Sequence, residues 1–322
     1  MGKYGSNQNH GFGKQIKWAG KNALRELYGH GHYGTVASHA MRWALFCIWL
    51  KDWYGVVDAR NITMEMLVSY AEYLRGCVLD GIIEVSYAQN LLSSVNVTLE
   101  ALRGDQNVRL ESPSEYVGQR CHARSEAPTG YDLDVVRTVV TQLEGDGLYR
   151  ASLVVKLARY FGVRLREAVL CDRLQWEKQA RERMSIDIRR GTKGGRGKEV
   201  ERWVPVTEDG LRILLELNQV CEAAGCCDNL LRPDESYDSF VNDGEINRAR
   251  KYLHASGIKC YHDLRSAWAC ERYQGLTGLM APVFGEAVKA SREVDRNSRE
   301  MMAPEIGHNR VDVLAAYVGR WA

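Results

Sequence analysis

Apolar residues recur at intervals of three and four positions along most of the chain, a spacing that is typical of amphipathic helices. In the first third, this pattern predicts helices over residues 14–27, 33–55, 64–78 and 84–104. Thr63 is expected to cap the third helix, with Glu65 in its first turn, and Ser86 to cap the fourth. Residues 1–104 are therefore predicted to contain a compact, all-helical domain.

Residues 105–130 interrupt the helical pattern. This stretch is polar, contains two prolines and lacks apolar periodicity. Such a composition is typical of a connection between domains rather than of a packed element. We therefore predict an interdomain linker here, followed by a second domain over residues 131–322.

The second domain is predicted to be mostly helical with one small sheet. Helical spacing returns over residues 131–145, 148–162, 165–171, 210–225, 235–256 and 263–274. Between them, apolar and polar residues alternate over 184–188 and 200–206, which predicts two strands. The glycine-rich stretch 191–198 is their hairpin loop, and Thr207 begins the next helix. The predicted fold class is mainly α with a small antiparallel β-sheet (α+β).

Length and composition support a two-domain protein outside the membrane. The chain has 322 residues, of which 45% are hydrophobic, enough for two domains with cores of their own. No apolar run reaches the roughly 18 residues of a membrane span. The first 20 residues are polar and glycine-rich, without the hydrophobic segment of a signal peptide. We therefore expect a cytoplasmic location.

The nine cysteines are scattered without a C-x-x-C pair, which favours reduced thiols over a disulfide framework. Cys221, Cys226 and Cys227 lie close together in the sequence. No histidine or cysteine pair at ligand spacing accompanies them, so we interpret them as core or surface thiols rather than as a zinc site.

The net charge of only +2 does not indicate a nucleic-acid-binding protein. If DNA is the partner, positive charge must be concentrated locally. The first predicted helix carries Lys14, Lys17, Lys21 and Arg25. Either these side chains are a solvated helix face or they contact DNA, and the sequence leaves both alternatives open.

Four short motifs follow one another in the second half of the chain. They are Gly162-Val163-Arg164-Leu165-Arg166-Glu167, Gly191-Thr192-Lys193-Gly194-Gly195, His262-Asp263-Leu264-Arg265, and Gly307-His308 with Tyr317 shortly after. We expect a short helix to begin at the Gly-His step and to include Tyr317. Each motif is common alone, but the ordered set resembles the catalytic signature of the tyrosine recombinases, the lambda-integrase-like DNA strand-exchange enzymes.

The resemblance implies a helical core-binding domain over residues 1–104, a catalytic domain over 131–322 and a set of catalytic residues. That set is Arg164, Lys193, His262, Arg265, His308 and Tyr317. Arginine suits a phosphodiester because its planar fork donates two hydrogen bonds to the two non-bridging oxygens. Arg164 and Arg265 would clamp the phosphate and His308 would bind it, while Glu167 would orient Arg164.

The remaining roles follow from the same resemblance. Tyr317 would be the nucleophile, with His262 as its base or hydrogen-bond partner, and would form a covalent 3′-phosphotyrosine. Lys193 would donate a proton to the leaving oxygen. Arg196 and Lys198 are alternatives to Lys193 that we interpret instead as backbone-phosphate contacts. No cofactor, metal or nucleotide is implied.

Three functions fit this site. The first is a site-specific recombinase or integrase of a mobile element or phage, acting on double-stranded DNA as a homotetramer on paired sites and monomeric or dimeric in solution. The second is a type IB topoisomerase-like relaxing enzyme. The third is a catalytically silent DNA-binding protein of the same fold. One departure concerns residues 277–301, which lengthen the interval from Arg265 to His308 beyond the family pattern and predict an extra helix.

Overall fold

In the computed structural model, which describes residues 4–321, the chain divides into two compact units, Met1–Cys121 and His122–Ala322. Each unit has a hydrophobic core of its own. Within residues 4–321, no helix combines the length and the apolar character needed to cross a membrane.

The first unit is all-helical, as predicted. Its helices are α1 (Ile16–Tyr28), α2 (Tyr33–Tyr54), α3 (Met64–Leu79), α4 (Val85–Arg103) and α5 (Pro113–Val117). Helix α1 packs closely on α2 because Gly20 leaves room for Trp43, whose indole would lie 2.2 Å from a Cβ at that position. The indole Nε1 donates a hydrogen bond to the carbonyl of Ile16 (3.0 Å), so this buried donor is satisfied.

Of the two predicted helix caps, one is confirmed and one is wrong. Thr63 caps α3 as expected, since its hydroxyl accepts a hydrogen bond from the amide of Met66 (3.4 Å). The prediction for Ser86 is wrong. Helix α4 already begins at Val85, with Glu84 in the N-cap position, so Ser86 lies inside the first turn and does not cap it.

The segment 105–130 contains ordered structure that its polar sequence did not predict. Helix α5 begins with Pro113 in its first turn, where a missing amide hydrogen costs nothing. Leu110 and Val117 are buried in the core of the first unit. The amide and carbonyl of Leu110 are both bonded by the side chain of Asn96. The interdomain role of this segment stays a prediction.

Within residues 122–321, the second unit contains nine further α-helices and two strands. In chain order these are α6 (Leu133–Gly145), α7 (Tyr149–Phe161), α8 (Leu165–Val169), α9 (Arg173–Arg183), β1 (Ser185–Asp187), β2 (Trp203–Pro205), α10 (Glu208–Ala223), α11 (Glu245–Ala255), α12 (Tyr261–Thr277), α13 (Arg292–Glu305) and α14 (Ala315–Val318). Helix α7 is buried along almost its whole length and packs against α6, α10 and α12. It is therefore the central helix of this unit.

The predicted hairpin is confirmed. Strands β1 and β2 pair antiparallel, with Ile186 opposite Val204. The glycine-rich loop between them forms a 3-10 turn over Lys193–Lys198. Within the described part of the chain this is the only sheet, so the fold is mainly α with a small antiparallel sheet, as predicted.

The end of the chain differs from the prediction of one helix running from Gly307 to Tyr317. Gly307 has a left-handed φ of 71° and ends α13 instead of starting a helix. The amide of His308 bonds the carbonyl of Ala303 and that of Gly307 the carbonyl of Pro304 (both 2.8 Å), which is a Schellman C-cap. Tyr317 lies on the separate helix α14, and the extra helix predicted in the long interval is α13.

Candidate active site

Arg164 is held at the start of α8 by its own capping interaction. It occupies the N-cap position, and its amide donates to Oε2 of Glu167 (2.7 Å). Its guanidinium donates to the other oxygen, Oε1, of the same carboxylate (2.7 Å). Backbone and side chain of Arg164 are thus both oriented by Glu167. The neighbouring Arg166 points away and lies over the ring of Tyr237.

Glu167 is fully buried and is surrounded by three arginines. Besides Arg164, Nη1 of Arg202 lies 2.8 Å from Oε2, and Nη1 of Arg265 lies 3.7 Å from it. Burial alone would raise the pKa of Glu167, but the charges of Arg202, Arg265 and Arg164 together lower it to about 2. Glu167 is therefore ionised and links all three guanidinium groups.

Sequence reasoning missed Arg202. Its backbone amide donates to Asp187 (2.8 Å), and its side chain donates to the carbonyl of Glu305 (2.8 Å). The signal was its position in the strand pattern, where it alternates with Val204 and Val206 and so faces the core. An arginine at an inward position of a strand needs a buried anion, and that anion is Glu167.

Arg265 lies on α12 and is fully buried. Its guanidinium donates to the carbonyls of Gly162 and Ile306, the residues that follow the last turns of α7 and α13. A cation is favourable where two helices present their C-terminal carbonyls. Burial, followed by the charge of Arg202, lowers the pKa of Arg265 to about 10.

Tyr317 is brought to the same place by α14 and is almost completely buried. Its hydroxyl lies 3.1 Å from Nε2 of His308 and 3.4 Å from Nε of Arg265. The ring of His262 lies beside it, with 5.1 Å between ring centroids. The structure therefore brings together the tyrosine, both histidines and Arg265.

Both histidines are neutral at neutral pH. Desolvation, and then the charges of Arg265 and Arg164, lower the pKa of His262 to about 4. For His308, burial and the charges of Arg164, Arg265 and Arg202 also lower the pKa to about 4. A neutral imidazole has one ring nitrogen that accepts a hydrogen bond. Because Arg164 also points a donor at Nε2 of His308 (3.5 Å), we assign Nε2 as that acceptor.

A pocket of about 270 Å³ opens next to this cluster. The basic residues that line it are Arg164, Lys193, Arg196, Arg202 and His308. Lys193 is exposed on the hairpin turn, and Arg196 donates to the side chain of Asn309 on the opposite wall. Lys198, on the same turn, points into solvent and does not line the pocket. The pocket is suited to an anion.

The predicted DNA contacts of the first unit lie on and just before α1. Lys14 and Lys17 are exposed, and Lys21 is half-buried with its ammonium 5.1 Å from the ring of Trp18. The exposure of these lysines is compatible both with a solvated face and with a DNA contact. Across residues 4–321, no group of three or more His, Cys, Asp and Glu side chains is arranged to hold a metal ion.

One protein-family model matches part of the chain. Residues 134–271 match the model of the family described as "Integrase", a segment that includes Arg164, Lys193, His262 and Arg265. No curated protein matches the chain.

Two solved structures share the fold. A lambda integrase dimer bound to a COC′ core site is 15% identical, with a TM-score of 0.54, over 94% of this chain and 76% of that one. A lambda integrase(75-356) dimer bound to a COC′ core site is 16% identical, with a TM-score of 0.53, over 92% of both chains. XerA recombinase also matches, at 15% identity and a TM-score of 0.37, over 93% of this chain and 92% of that one. Residues 134–271 are thus similar to the integrase family, and the chain shares the fold of the two lambda integrase structures.

Proposed function

We propose that this protein is a site-specific DNA recombinase that cleaves and rejoins strands through a covalent 3′-phosphotyrosine at Tyr317. One observation carries the proposal. The Tyr317 hydroxyl lies between an accepting nitrogen of His308 and a donating nitrogen of Arg265, beside a pocket lined with basic side chains. A nucleophile, a base and an anion site within one cluster are what phosphoryl transfer to tyrosine requires.

The first step is attack by the tyrosine. The phenol has an ordinary pKa of about 10, so it needs a base and a nearby positive charge. His308, with Nε2 at 3.1 Å, takes the proton, and the Arg265 guanidinium stabilises the phenolate. In this conformation His308 therefore has the role of base that the sequence suggested for His262. His262, whose ring lies beside that of Tyr317, is left to contact the phosphate.

The phosphate binds in the pocket, where Arg164 donates to its non-bridging oxygens and stabilises the charge that develops there. The bond from phosphorus to the Tyr317 oxygen forms as the bond to the 5′ oxygen breaks. Lys193 gives its proton to that leaving oxygen. Because the phosphodiester energy is kept in the phosphotyrosine, a 5′-hydroxyl from a second strand can reverse the step and join the strands.

Arg265 has a more restricted role than the resemblance implied. Its donors are used by Tyr317 and by the carbonyls of Gly162 and Ile306, and its side chain is fully buried. We therefore assign Arg265 to the phenolate and the direct phosphate contact to Arg164. The buried Arg202 is a positioning residue that acts through Glu167.

Double-stranded DNA is the proposed substrate. The first unit is proposed to be the core-binding domain, with Lys14, Lys17 and Lys21 on phosphates, and Arg196 and Lys198 to contact the backbone next to the cleaved bond. A homotetramer on two paired sites would exchange the strands, and the gene would belong to a phage or a mobile element.

The test is a denaturing gel with labelled DNA that is nicked next to the cleavage position, so that the cut fragment diffuses away. Wild-type protein is expected to form a slow-migrating covalent adduct, and Tyr317→Phe to bind the DNA without forming one. Tyr261→Phe removes the same hydroxyl from a buried tyrosine on α12 outside the cluster and is expected to retain the adduct. An adduct with Tyr317→Phe would overturn the assignment of the nucleophile.

A catalytically silent DNA-binding protein is the second candidate, because Arg265 is fully buried and its donors are already used. This function predicts no adduct on any nicked DNA that the protein binds. A topoisomerase-like enzyme would instead relax supercoiled DNA as a monomer without joining two sites. The same preparation, tested for relaxation and for joining, distinguishes these outcomes.

A further inference from the structure

Two of the clustered cysteines meet where α10 ends. Gly225 has a φ of 67°, the amide of Cys226 bonds the carbonyl of Cys221 (2.8 Å), and the amide of Gly225 bonds that of Glu222 (3.2 Å). This is a Schellman motif, in which the first and last residues characteristically contact each other through their side chains. Cys221 and Cys226 occupy these two positions.

The geometry of this motif suits a disulfide. A disulfide needs Cα atoms about 4.4–6.8 Å apart, and the hydrogen bond that closes the motif draws the two backbones together. Because this backbone contact is already present in the folded protein, the two side chains can bond without unfolding of α10.

The surroundings of the two thiols differ. Cys221 is fully buried, whereas Cys226 is half-buried and lies near Arg150 and Arg232. The hydrogen bond from Cys221, together with the charges of Arg150 and Arg232, lowers the pKa of Cys226 to about 7 against the opposing effect of burial. The same hydrogen bond, and then burial, raise the pKa of Cys221. One thiol is thus activated and accessible, and the other stays protonated next to it.

We propose that Cys226 is a thiol–disulfide exchange site for a small-molecule disulfide and that Cys221 is its resolving partner. The Cys226 thiolate attacks one sulfur of the small disulfide, which forms a mixed disulfide and releases the first thiolate. Cys221 then loses its proton and attacks the Cys226 sulfur. The Cys221–Cys226 disulfide forms, the second small thiolate leaves, and the two electrons have reduced the small disulfide to two thiols.

The bond would close next to the segment that supports the end of α8. The amide of Leu230 bonds the carbonyl of Val169, the last residue of α8, and the amide of Arg173 bonds the carbonyl of Asp228 (both 3.1 Å). The Cys226 thiol also donates a hydrogen bond to the Leu230 carbonyl (3.5 Å). Exchange at Cys226 therefore acts on a segment in direct contact with the helix that begins at Arg164. The proposal does not depend on the proposed DNA chemistry.

The experiment treats the full-length, folded protein with oxidised glutathione, blocks remaining thiols and maps disulfides by mass spectrometry. Wild type is expected to yield a peptide pair joined through Cys221 and Cys226. Cys221→Ser is expected to accumulate glutathione on Cys226, because the resolving thiol is gone. Cys226→Ser is expected to show neither product, and Cys227→Ser, which alters the exposed neighbour, to behave as wild type.

Two results would overturn the proposal. One is glutathione accumulating on the exposed Cys227 or Cys260 of the wild type with no Cys221–Cys226 bond. The other is a bond that appears only after denaturant is added. The rate at which iodoacetamide labels Cys226 in the wild type gives a check that does not depend on the folding of the serine variants. It should reach half its maximum near pH 7, because the neighbouring groups lower the pKa of Cys226 to about 7.

Discussion

The two sides of the site use positive charge differently. Around the pocket, Arg164, Lys193 and Arg196 are partly or fully exposed, and two of them lie on or next to the hairpin turn. Around Tyr317, Arg265 is fully buried and bonded to protein acceptors. The first set can adapt to a ligand, whereas Arg265 is fixed before any ligand arrives. Glu167 connects the two sides of the site, because it pairs with Arg164 next to the pocket and with Arg202 and Arg265 in the interior.

The largest expected effect on stability comes from replacing Glu167. Glu167→Gln removes the charge that compensates the buried Arg202 and Arg265, so we expect the free energy of unfolding to fall by about 3–5 kcal/mol. Urea unfolding measures it. Glu201→Gln, which removes an exposed partner of Arg189, is the matched control and should cost no more than about 1 kcal/mol. Equal losses for the two variants would contradict the central role of Glu167.

Arg265→Lys and Arg164→Lys separate the two sides of the site. A lysine cannot reproduce the planar fork, so Arg265→Lys should abolish adduct formation and also reduce stability, because two helix-end carbonyls are left without donors. Arg164→Lys should lower the rate of adduct formation about 10²-fold, the typical effect of removing one oxyanion donor, with little change in unfolding temperature. If Arg164→Lys unfolded as readily as Arg265→Lys, the distinction between the two sides would fail.

The two histidines beside Tyr317 make the stability of the protein depend on pH. His262 and His308 have pKa values near 4 in the folded protein and ordinary values of 6.5 when unfolded. The unfolded chain therefore binds these protons first, so their stabilising contribution is complete above pH 6.5 and is lost as the pH falls from 6.5 towards 4.

The measurement is the fall in unfolding temperature between about pH 7 and about pH 5. A variant with both His262→Asn and His308→Asn should show a smaller fall than the wild type. His254→Asn, at an exposed position on α11, is the control and should leave the fall unchanged. A fall that is the same in all three proteins would contradict the shifted histidines.

The smallest effect is expected from the first unit. Replacing Lys14, Lys17 and Lys21 with alanine should weaken DNA binding without changing stability. It should reduce the slope of log affinity against log salt by about 0.9 for each phosphate that is no longer neutralised. The slope is measured by titration at several salt concentrations. An unchanged slope would identify these lysines as a solvated helix face, the other alternative that the sequence left open.

Local structure followed from the sequence alone. Helical spacing located most helices of both units but missed α5 and α9. Alternation located the hairpin, and Thr63 was identified as a cap because capping involves only neighbouring residues. The motifs also contain Arg265, His308 and His262, which the structure brings together around Tyr317. Local patterns failed where the same residues fit both the start and the end of a helix. At Gly307-His308 a helix ends instead of beginning.

The fold was needed to establish which side chains share an environment. Arg202, directly before strand β2, lies beside Glu167 at the start of α8, and no local pattern pairs residues so far apart. Arg265 is buried because the ends of α7 and α13 meet at its guanidinium. Cys221 and Cys226 meet because α10 ends between them. Charge, burial and reactivity depend on such neighbours, so the sequence supplied the residue types and the fold supplied their pKa values and partners.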